Sequence, residues 1–402
     1  MKAYYMKNKR NIFTILFTIF LTSTNCTSNS NKQQPLQQVE IVSINPTKVN
    51  DPKDFFNLIE DIDFIKLETT HNNPIDWIQK LWITDKSFLV KTGSWEVHAY
   101  SHSGRYKYKK DKEGKGKNEI QNVYDFCPGP NESIYILGYK EYYIIDQYGA
   151  FVEVKSTPRP YESFNPGYFY IIDDQFQLYS TSTTGTKQNQ IEEFSLWLYT
   201  NRSDVSKFYL QRKTCNIAKN AFLQNEDKVL ITPVIGVDSI YAIISNEVVP
   251  AFYIDFGKYK SISSELPDDQ TAPFPAFEYA TENRKCLSIY APFMDDNWLT
   301  FSYYFHKDYY LTMYNRIDQS YIIIEKNNKN VNTLLFMTSP LAFYRNKLYY
   351  SLPAYKIRGL LDDNAIGLNF LPETRRLQLL EKLKDVKETD NPVLMLVTFK
   401  DQ

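Results

Sequence analysis

Ser87-Phe88-Leu89-Val90, Trp95-Glu96-Val97-His98-Ala99-Tyr100, Ser101-His102-Ser103-Gly104 and Arg105-Tyr106-Lys107-Tyr108 follow one another as strand, strand, tight turn and strand. The same order returns in Ser133-Ile134-Tyr135-Ile136-Leu137, Tyr142-Tyr143-Ile144-Ile145, Asp146-Gln147-Tyr148-Gly149 and Phe151-Val152-Glu153-Val154. The turn glycines Gly104 and Gly149 stand 45 residues apart. Short strands repeating every ~40–50 residues are the pattern of a β-propeller blade. The repeat speaks to the fold of the whole chain and is silent about chemistry.

Working outward, the rhythm continues. Residues 168–172, 176–180, 194–199 and 207–210 form a third unit. A fourth runs through 221–223, 229–232, 239–244 and 248–254, and a fifth through 287–290, 298–303, 309–314 and 320–324. Residues 333–337 and 347–351 begin a sixth, with breakers such as Pro128-Gly129-Pro130-Asn131 and Asp295-Asp296-Asn297 between strands. Residues 257–284, with Pro267, Pro273 and Pro275, read as a long connecting loop. Residues 355–388 read as helical: Pro372 suits a first helical turn, and Leu377, Leu380, Leu383 and Val386 suggest one apolar stripe. Residues 392–399 read as a closing strand. That strand and the early strands at 38–44 and 63–67 can complete the sixth unit and so close the ring. The expected fold is all-β: a six-bladed propeller of four-stranded antiparallel blades, with five or seven blades as alternatives and a C-terminal helical insertion before the closing strand.

The composition agrees. The chain has 402 residues, 16% of them aromatic, with 32 Tyr and 26 Phe, and aromatic side chains favour strands. Lysine and arginine number 46 against 47 acidic residues, so no electrostatic footprint for nucleic acid is present.

The N-terminus reads as a targeting segment. Lys7, Lys9 and Arg10 precede an uncharged run at 12–21, too short to span a bilayer, and Met6 is an alternative start. Cys26 follows, then the polar stretch 27–34, and this order resembles a bacterial lipoprotein signal, in which the cysteine is acylated and becomes the first residue. The usual small residue before the cysteine is Asn25 here; the alternative is an ordinary cleaved signal with an incidental cysteine. The expected organisation is a signal peptide over 1–26 with Cys26 as the lipidation site, a flexible tether over 27–38 and the propeller over 39–402. Cys127, Cys215 and Cys286 remain, too scattered for a local metal motif, and read as small buried apolar residues.

Further segments carry a family resemblance. Asp61-Ile62-Asp63-Phe64-Ile65-Lys66-Leu67-Glu68-Thr69-Thr70 resembles the opening strand of the six-bladed β-propeller lipoproteins common in Bacteroidota, with Lys66 where they carry proline. Ser103-Gly104, the glycine-rich loop with Gly114, Gly116 and Glu119, and Asp390-Asn391-Pro392-Val393-Leu394 resemble other motifs of that family. The resemblance runs from about residue 38 to the end, and loosely extends to NHL- and TolB-like propellers. It implies an exported protein, anchored in the outer membrane through lipid and facing periplasm or cell surface.

No residue pattern specifies catalysis. The histidines are His71, His98, His102 and His306; His98 and His102 straddle a strand end and a turn, so their four-residue spacing does not make a metal pair. The glycine-rich loop lacks the Gly-Lys-Ser/Thr of a phosphate loop. The acidic pairs Asp173-Asp174, Asp268-Asp269, Asp295-Asp296 and Asp362-Asp363 lack calcium-loop spacing and read as turn residues. Asp238-Ser239-Ile240 resembles an O-glycosylation site of exported Bacteroidota proteins. No metal or cofactor is expected. Adjacent aromatic pairs (Tyr142-Tyr143, Tyr303-Tyr304, Tyr309-Tyr310, Tyr349-Tyr350) should place one ring inside a blade and leave the other available. Tyr142, Tyr304 and Tyr309 are the ligand-binding candidates. Three functions stay open: a binding scaffold for a glycan, a peptide or an envelope protein; a lyase or hydrolase with its site in the central channel; and a structural subunit of an outer-membrane complex.

Overall fold

The computed structural model describes residues 39–111, 119–120, 122–157, 167–173, 176–180, 194–200, 203–211, 221–226, 228–233, 235–244, 246–261, 265–266, 274–326, 338–362 and 367–400. In chain order these form β1 (Glu40–Ser43), α1 (Pro52–Phe56), β2 (Ile59–Lys66), β3 (Ile78–Ile83), β4 (Phe88–Thr92), β5 (Val97–Tyr100), β6 (Tyr106–Lys110), β7 (Asp125–Pro128), β8 (Ile134–Leu137), β9 (Glu141–Ile145) and β10 (Phe151–Ser156). Next come β11 (Tyr168–Ile171), β12 (Phe176–Ser180), β13 (Phe194–Thr200), β14 (Ser203–Gln211), β15 (Phe222–Asn225), β16 (Lys228–Ile231), β17 (Ser239–Ile244), β18 (Glu247–Asp255) and α2 (Phe274–Glu282). The chain ends with β19 (Cys286–Met294), β20 (Trp298–Phe305), β21 (Asp308–Asn315), β22 (Tyr321–Glu325), β23 (Ala342–Phe343), β24 (Leu348–Leu352), α3 (Ala354–Asp362), α4 (Glu373–Leu383) and β25 (Val393–Phe399).

The architecture is β-propeller-like. Strands β3–β6, β7–β10, β11–β14 and β19–β22 each make a four-stranded antiparallel sheet. A further nine strands run in the order β1-β18-β17-β16-β15-β23-β24-β25-β2. Its β15 and β23 halves are joined by a single residue pair, Asn225 with Phe343. Inner strands pack on one another in sequence: β7 on β11, β11 on β15, β15 on β19, β19 on β23, and β23 on β3.

Burial follows strand position. The middle strands β4, β5 and β8 are buried at every residue, because neighbouring sheets cover both faces. The outer strands β6 and β10 are open along most of their length and carry Lys and Glu. Here a lysine-bearing Tyr-Lys-Tyr-Lys-Lys edge resists pairing with another chain.

The turn glycines do what the repeat demands. Gly104 and Gly149 have φ of +83° and +84°, a region open to glycine and costly for other residues. Both also lie against the preceding outer strand. A Cβ on Gly104 would sit 2.1 Å from Lys66 O of β2, and one on Gly149 would sit 2.7 Å from the Tyr108 ring of β6. The backbone of Glu68 donates to Gly104 O at 2.8 Å.

Several expectations need correction. β1 does not join the closing sheet; it pairs in parallel with β18, Glu40 opposite Phe252. β2 and β25 do pair, antiparallel, with Phe64 opposite Met395. The stretch 257–284 is not all loop, since α2 occupies its end. In α4, Leu379 and Leu383 face the core while Leu377 is exposed. A strict three-residue spacing drifts by about 60° per step on a 3.6-residue helix, so Leu377 and Leu383 cannot share a face, and Val386 lies beyond the end of α4. The inner strand before β24 is the two-residue β23; the expected strand at 333–337 lies outside the described residues. Helices α3 and α4 pack Ile357, Leu360, Leu379 and Leu383 with Phe55, Leu58, Val393 and Met395. Arg375 grips Asp61 of β2 through two bonds of 2.7 and 2.8 Å.

Gly104→Ala should destabilise the chain by about 2–4 kcal/mol in denaturant titration, since it adds both a left-handed alanine and a backbone clash. Gly257→Ala is the control: φ is +56° but nothing lies within 4 Å of the added methyl. Its cost should be about 1 kcal/mol. Equal losses would show that the contact with Lys66 contributes nothing.

Candidate functional site

Sheets buried on both faces leave no solvent for a polar side chain, yet the inner strands carry several. Lys80 of β3 and Asp125 of β7 are both buried. Lys80 Nζ donates to both Asp125 oxygens at 2.8 and 2.9 Å and to Phe126 O at 2.8 Å, which uses all three ammonium protons. The amide of Phe169 in β11 donates to Asp125 Oδ2 at 3.2 Å. The rings of Trp82 and Phe126 flank the ammonium at 5.6 and 5.3 Å. Gln224 of β15 accepts from Ile83 N at 2.6 Å and donates to Ile83 O at 2.7 Å, across 141 residues of sequence. Asn225 makes the same two-way contact with Met294, at 2.8 and 2.6 Å. Asn225 bonds to the next inner strand, β19, whereas Gln224 reaches β3, which is not adjacent to β15 in the order of inner strands; both side chains bond as a backbone would, so the polar interior stitches strands together and leaves these groups little capacity for substrate.

The chemistry open to solvent lies where β3 begins and β4 turns into β5. Trp77 and Trp95 are 54% and 53% exposed, whereas Trp82 and Trp298 are buried. Gly93 makes the turn possible: an added Cβ would meet the Trp77 ring at 2.5 Å and Asp76 Oδ2 at 2.6 Å. Trp95 adopts φ of +66°, which projects its ring from the turn. It meets Tyr124 edge-on at 5.7 Å. The ammonium of Lys91 lies 5.1 Å from the centre of the Trp95 ring and donates to Gln79 Oε1. Lys91 is only 7% exposed. Burial lowers its pKa below the usual lysine range; Asp125 opposes this and Lys80 adds to it.

The sequence-based candidates fall elsewhere. Tyr142 is 4% exposed, packed on Tyr135 and Phe169, and its hydroxyl accepts from Gln177. Its neighbour Tyr143 is also buried, so the expected division of each pair fails here because both faces of the sheet are covered. Tyr304 is half-buried, lies 2.8 Å from Thr281 Oγ1 through its hydroxyl, and meets Phe277 edge-on. Tyr309, 36% exposed, packs between Tyr304 and Tyr290. Tyr304 and Tyr309 thus sit together, and Tyr142 sits apart in another sheet. Cys26 and the glycine-rich loop residues Gly114 and Gly116 lie outside the described residues, as does Cys215.

The remaining polar motifs are occupied structurally. Buried His98 has Nε2 2.9 Å from Glu96 Oε2, and His102 Nε2 is 2.9 Å from Thr84 O. Asp295 caps its turn by accepting from Asn297 N at 2.7 Å and Trp298 N at 2.5 Å. Cys127 and Cys286 are buried free thiols, and burial pushes Cys127 up to about 12. Ser239 lies within β17, with buried Asp238 and Ile240 on either side. Burial raises the Asp238 carboxyl to about 7, against the pull of Lys260 Nζ at 3.9 Å and with help from Asp255.

Sequence reasoning missed the buried network and the tryptophan turn. One signal was available: Lys80 and Asp125 are 45 residues apart, the spacing of Gly104 and Gly149. They are equivalent positions in consecutive units, with opposite charges set in apolar strands.

Comparison with known proteins places this geometry in a family. The chain belongs to the family described as domain of unknown function DUF4934, which it matches over residues 39–398. Among solved structures, it is similar to a Bacteroides fragilis protein described as a "putative exported protein", with 13% identity, 90% of this chain and 100% of that one covered, and a TM-score of 0.67. Weaker similarity extends to the WD40 domain of Neurospora crassa Pan2, with 8% identity, 71% and 81% coverage and a TM-score of 0.35. The β-propeller domain of the Pyrococcus furiosus Trilobed protease gives 10% identity, 66% and 72% coverage and a TM-score of 0.32. No curated protein matches the chain.

Lys80→Met should cost about 3–5 kcal/mol, because it strands the Asp125 carboxylate in the interior. The pair Lys80→Met with Asp125→Leu should recover most of that loss in thermal unfolding; a double variant as unstable as the single would contradict the pairing. Asp238 gives a pH signature of the opposite kind to a salt-bridged carboxylate. Its folded pKa lies above the unfolded value of about 3.9, so the folded state holds the proton more tightly and loses stability as pH rises from about 4 to about 7. Asp238→Asn should therefore match the wild type near pH 4 and exceed it by about 1–3 kcal/mol at pH 8. A difference independent of pH would refute the assignment.

Proposed function

We propose that this chain is an exported, lipid-anchored six-bladed β-propeller that serves as a binding scaffold for an envelope or extracellular ligand. The six blades in this reading are β3–β6, β7–β10, β11–β14, β15–β18, β19–β22, and β23-β24-β25-β2. The single bridge at Asn225 and Phe343 then links two inner strands and makes no continuous sheet. The equivalent seats of Gly104 on β2 and Gly149 on β6 support this reading, because each turn meets the last strand of the unit before it. The pairing of β2 with β25 closes such a ring from the two chain ends, and α3 and α4 are its helical insertion.

The observation that carries the function is the contrast between interior and rim. The inner polar side chains of Lys80, Asp125, Gln224 and Asn225 are spent on other strands, while two tryptophans stand exposed where β3 begins and β4 turns into β5. A rigid ring presenting aromatic faces suits recognition more than turnover. In this reading Cys26 carries the lipid, and the polar stretch 27–38 separates it in sequence from the propeller.

Two measurements test this reading. Membrane fractionation with radiolabelled palmitate should find the wild type labelled and membrane-bound, and Cys26→Ala unlabelled and released. A labelled, membrane-bound Cys26→Ala would overturn the anchor. Product analysis after prolonged incubation with envelope glycans and peptides should recover every ligand intact; release of a defined product would replace the scaffold with the lyase or hydrolase alternative.

A further inference from the structure

We propose that the tryptophan turn binds an acidic sugar residue, with the sugar ring against Trp77 and Trp95 and its anionic group at Lys91. This rests on the scaffold reading above and names its site and ligand class. Three observations carry it. The first is the pair of exposed tryptophans, both positioned by the Gly93 turn, which offer flat apolar faces to the C–H face of a pyranose.

The second is the charge inventory. Lys80 is neutralised by Asp125 at 2.8 Å, and Glu96 is engaged by His98 and Lys109 at 2.9 and 3.3 Å. Among the described residues no carboxylate forms an ion pair with Lys91; its ammonium rests on the neutral Gln79 Oε1 and the Trp95 ring. A largely buried, unneutralised cation beneath an exposed ring favours an anion on the ligand.

The third is the state of the backbone. Thr92 N donates to Glu96 O at 2.9 Å, Gly93 N to Trp77 O at 3.2 Å and Trp95 N to Thr92 O at 3.3 Å. Glu96 N donates to Thr92 Oγ1 at 3.3 Å. These amides are spent, so a peptide strand finds no ladder to extend at this turn. Ring faces, one cation and the Asp76 carboxylate, which accepts from Trp77 N at 2.7 Å and Ser94 Oγ at 3.4 Å, remain. Asp76 has lone pairs left to accept sugar hydroxyls.

Carboxylated and sulfated sugars share this chemistry, and calorimetry on the purified full chain in detergent separates them. The probes are tetragalacturonate, a sulfated heparin-derived tetrasaccharide and uncharged cellotetraose. At least one acidic probe should bind ~10-fold or more tightly than cellotetraose, and weaken as salt rises. Trp95→Asn, which suits the left-handed backbone, and Trp77→Ala should each weaken that binding ~10-fold or more without lowering the melting temperature beyond a few degrees. Lys91→Gln should erase the preference for acidic over neutral sugar. Equal or better binding of cellotetraose by the wild type, acidic binding unmoved by both tryptophan variants, or no sugar binding at millimolar concentration would each overturn the proposal. Binding of a peptide elsewhere on the ring would leave the scaffold reading standing without this site. Tryptophan-dependent binding followed by cleavage of the sugar would keep the site and end the scaffold reading.

Discussion

A sheet covered on both faces must satisfy every polar group inside itself, and this constraint shapes the whole molecule. Burying one unpaired amide or charge costs more than most single contacts return. A polar side chain on an inner strand is best placed where another strand receives it, although a few buried atoms elsewhere in the sheets, such as Thr300 Oγ1 of β20, lack a hydrogen-bond partner. Lys80, Asp125, Gln224 and Asn225 obey this rule, each turning a potential defect into a link between units. The outer strands are free of it, and there Lys and Glu return.

The same constraint favours the binding site proposed at the rim. Side chains that stitch the interior are not available to a ligand without undoing the fold. In the proposed scaffold, recognition falls to groups that the interior does not need: Trp77, Trp95, and the cation of Lys91 against the Trp95 ring. The turn that carries Trp95 is held by local contacts, since Gly93 packs against the Trp77 ring and the turn amides are bonded internally. Preorganised aromatic faces lose little entropy on binding, which is what a scaffold requires.

Much of the fold was legible in the sequence because it rests on local signals. The strands of the first five units, the turn at Gly104 and Gly149, and the closing strand follow from alternation, spacing and glycine. What was not legible depended on distant neighbours. The parallel pairing of β1 with β18 has no local signature, and neither does a two-residue strand at Ala342–Phe343. Tyr142 reads as half-exposed by strand alternation, but a second sheet covers its outer face. Adjacent tyrosines are visible in sequence, whereas the exposure of Trp77 and Trp95 is set by local geometry that is not. Lys80 and Asp125 were readable in principle, through their 45-residue spacing.

In the proposed scaffold the interior is structural and the rim at residues 76–96 binds the ligand. Hydrogen–deuterium exchange on the full chain, with and without saturating acidic tetrasaccharide, tests it directly. The account predicts added protection confined to the segments carrying Trp77, Trp95 and Tyr124, with the inner strands slow to exchange in both states. Protection centred on the inner strands around Gln224 and Asn225, or on the Tyr304–Tyr309 cluster, would contradict it.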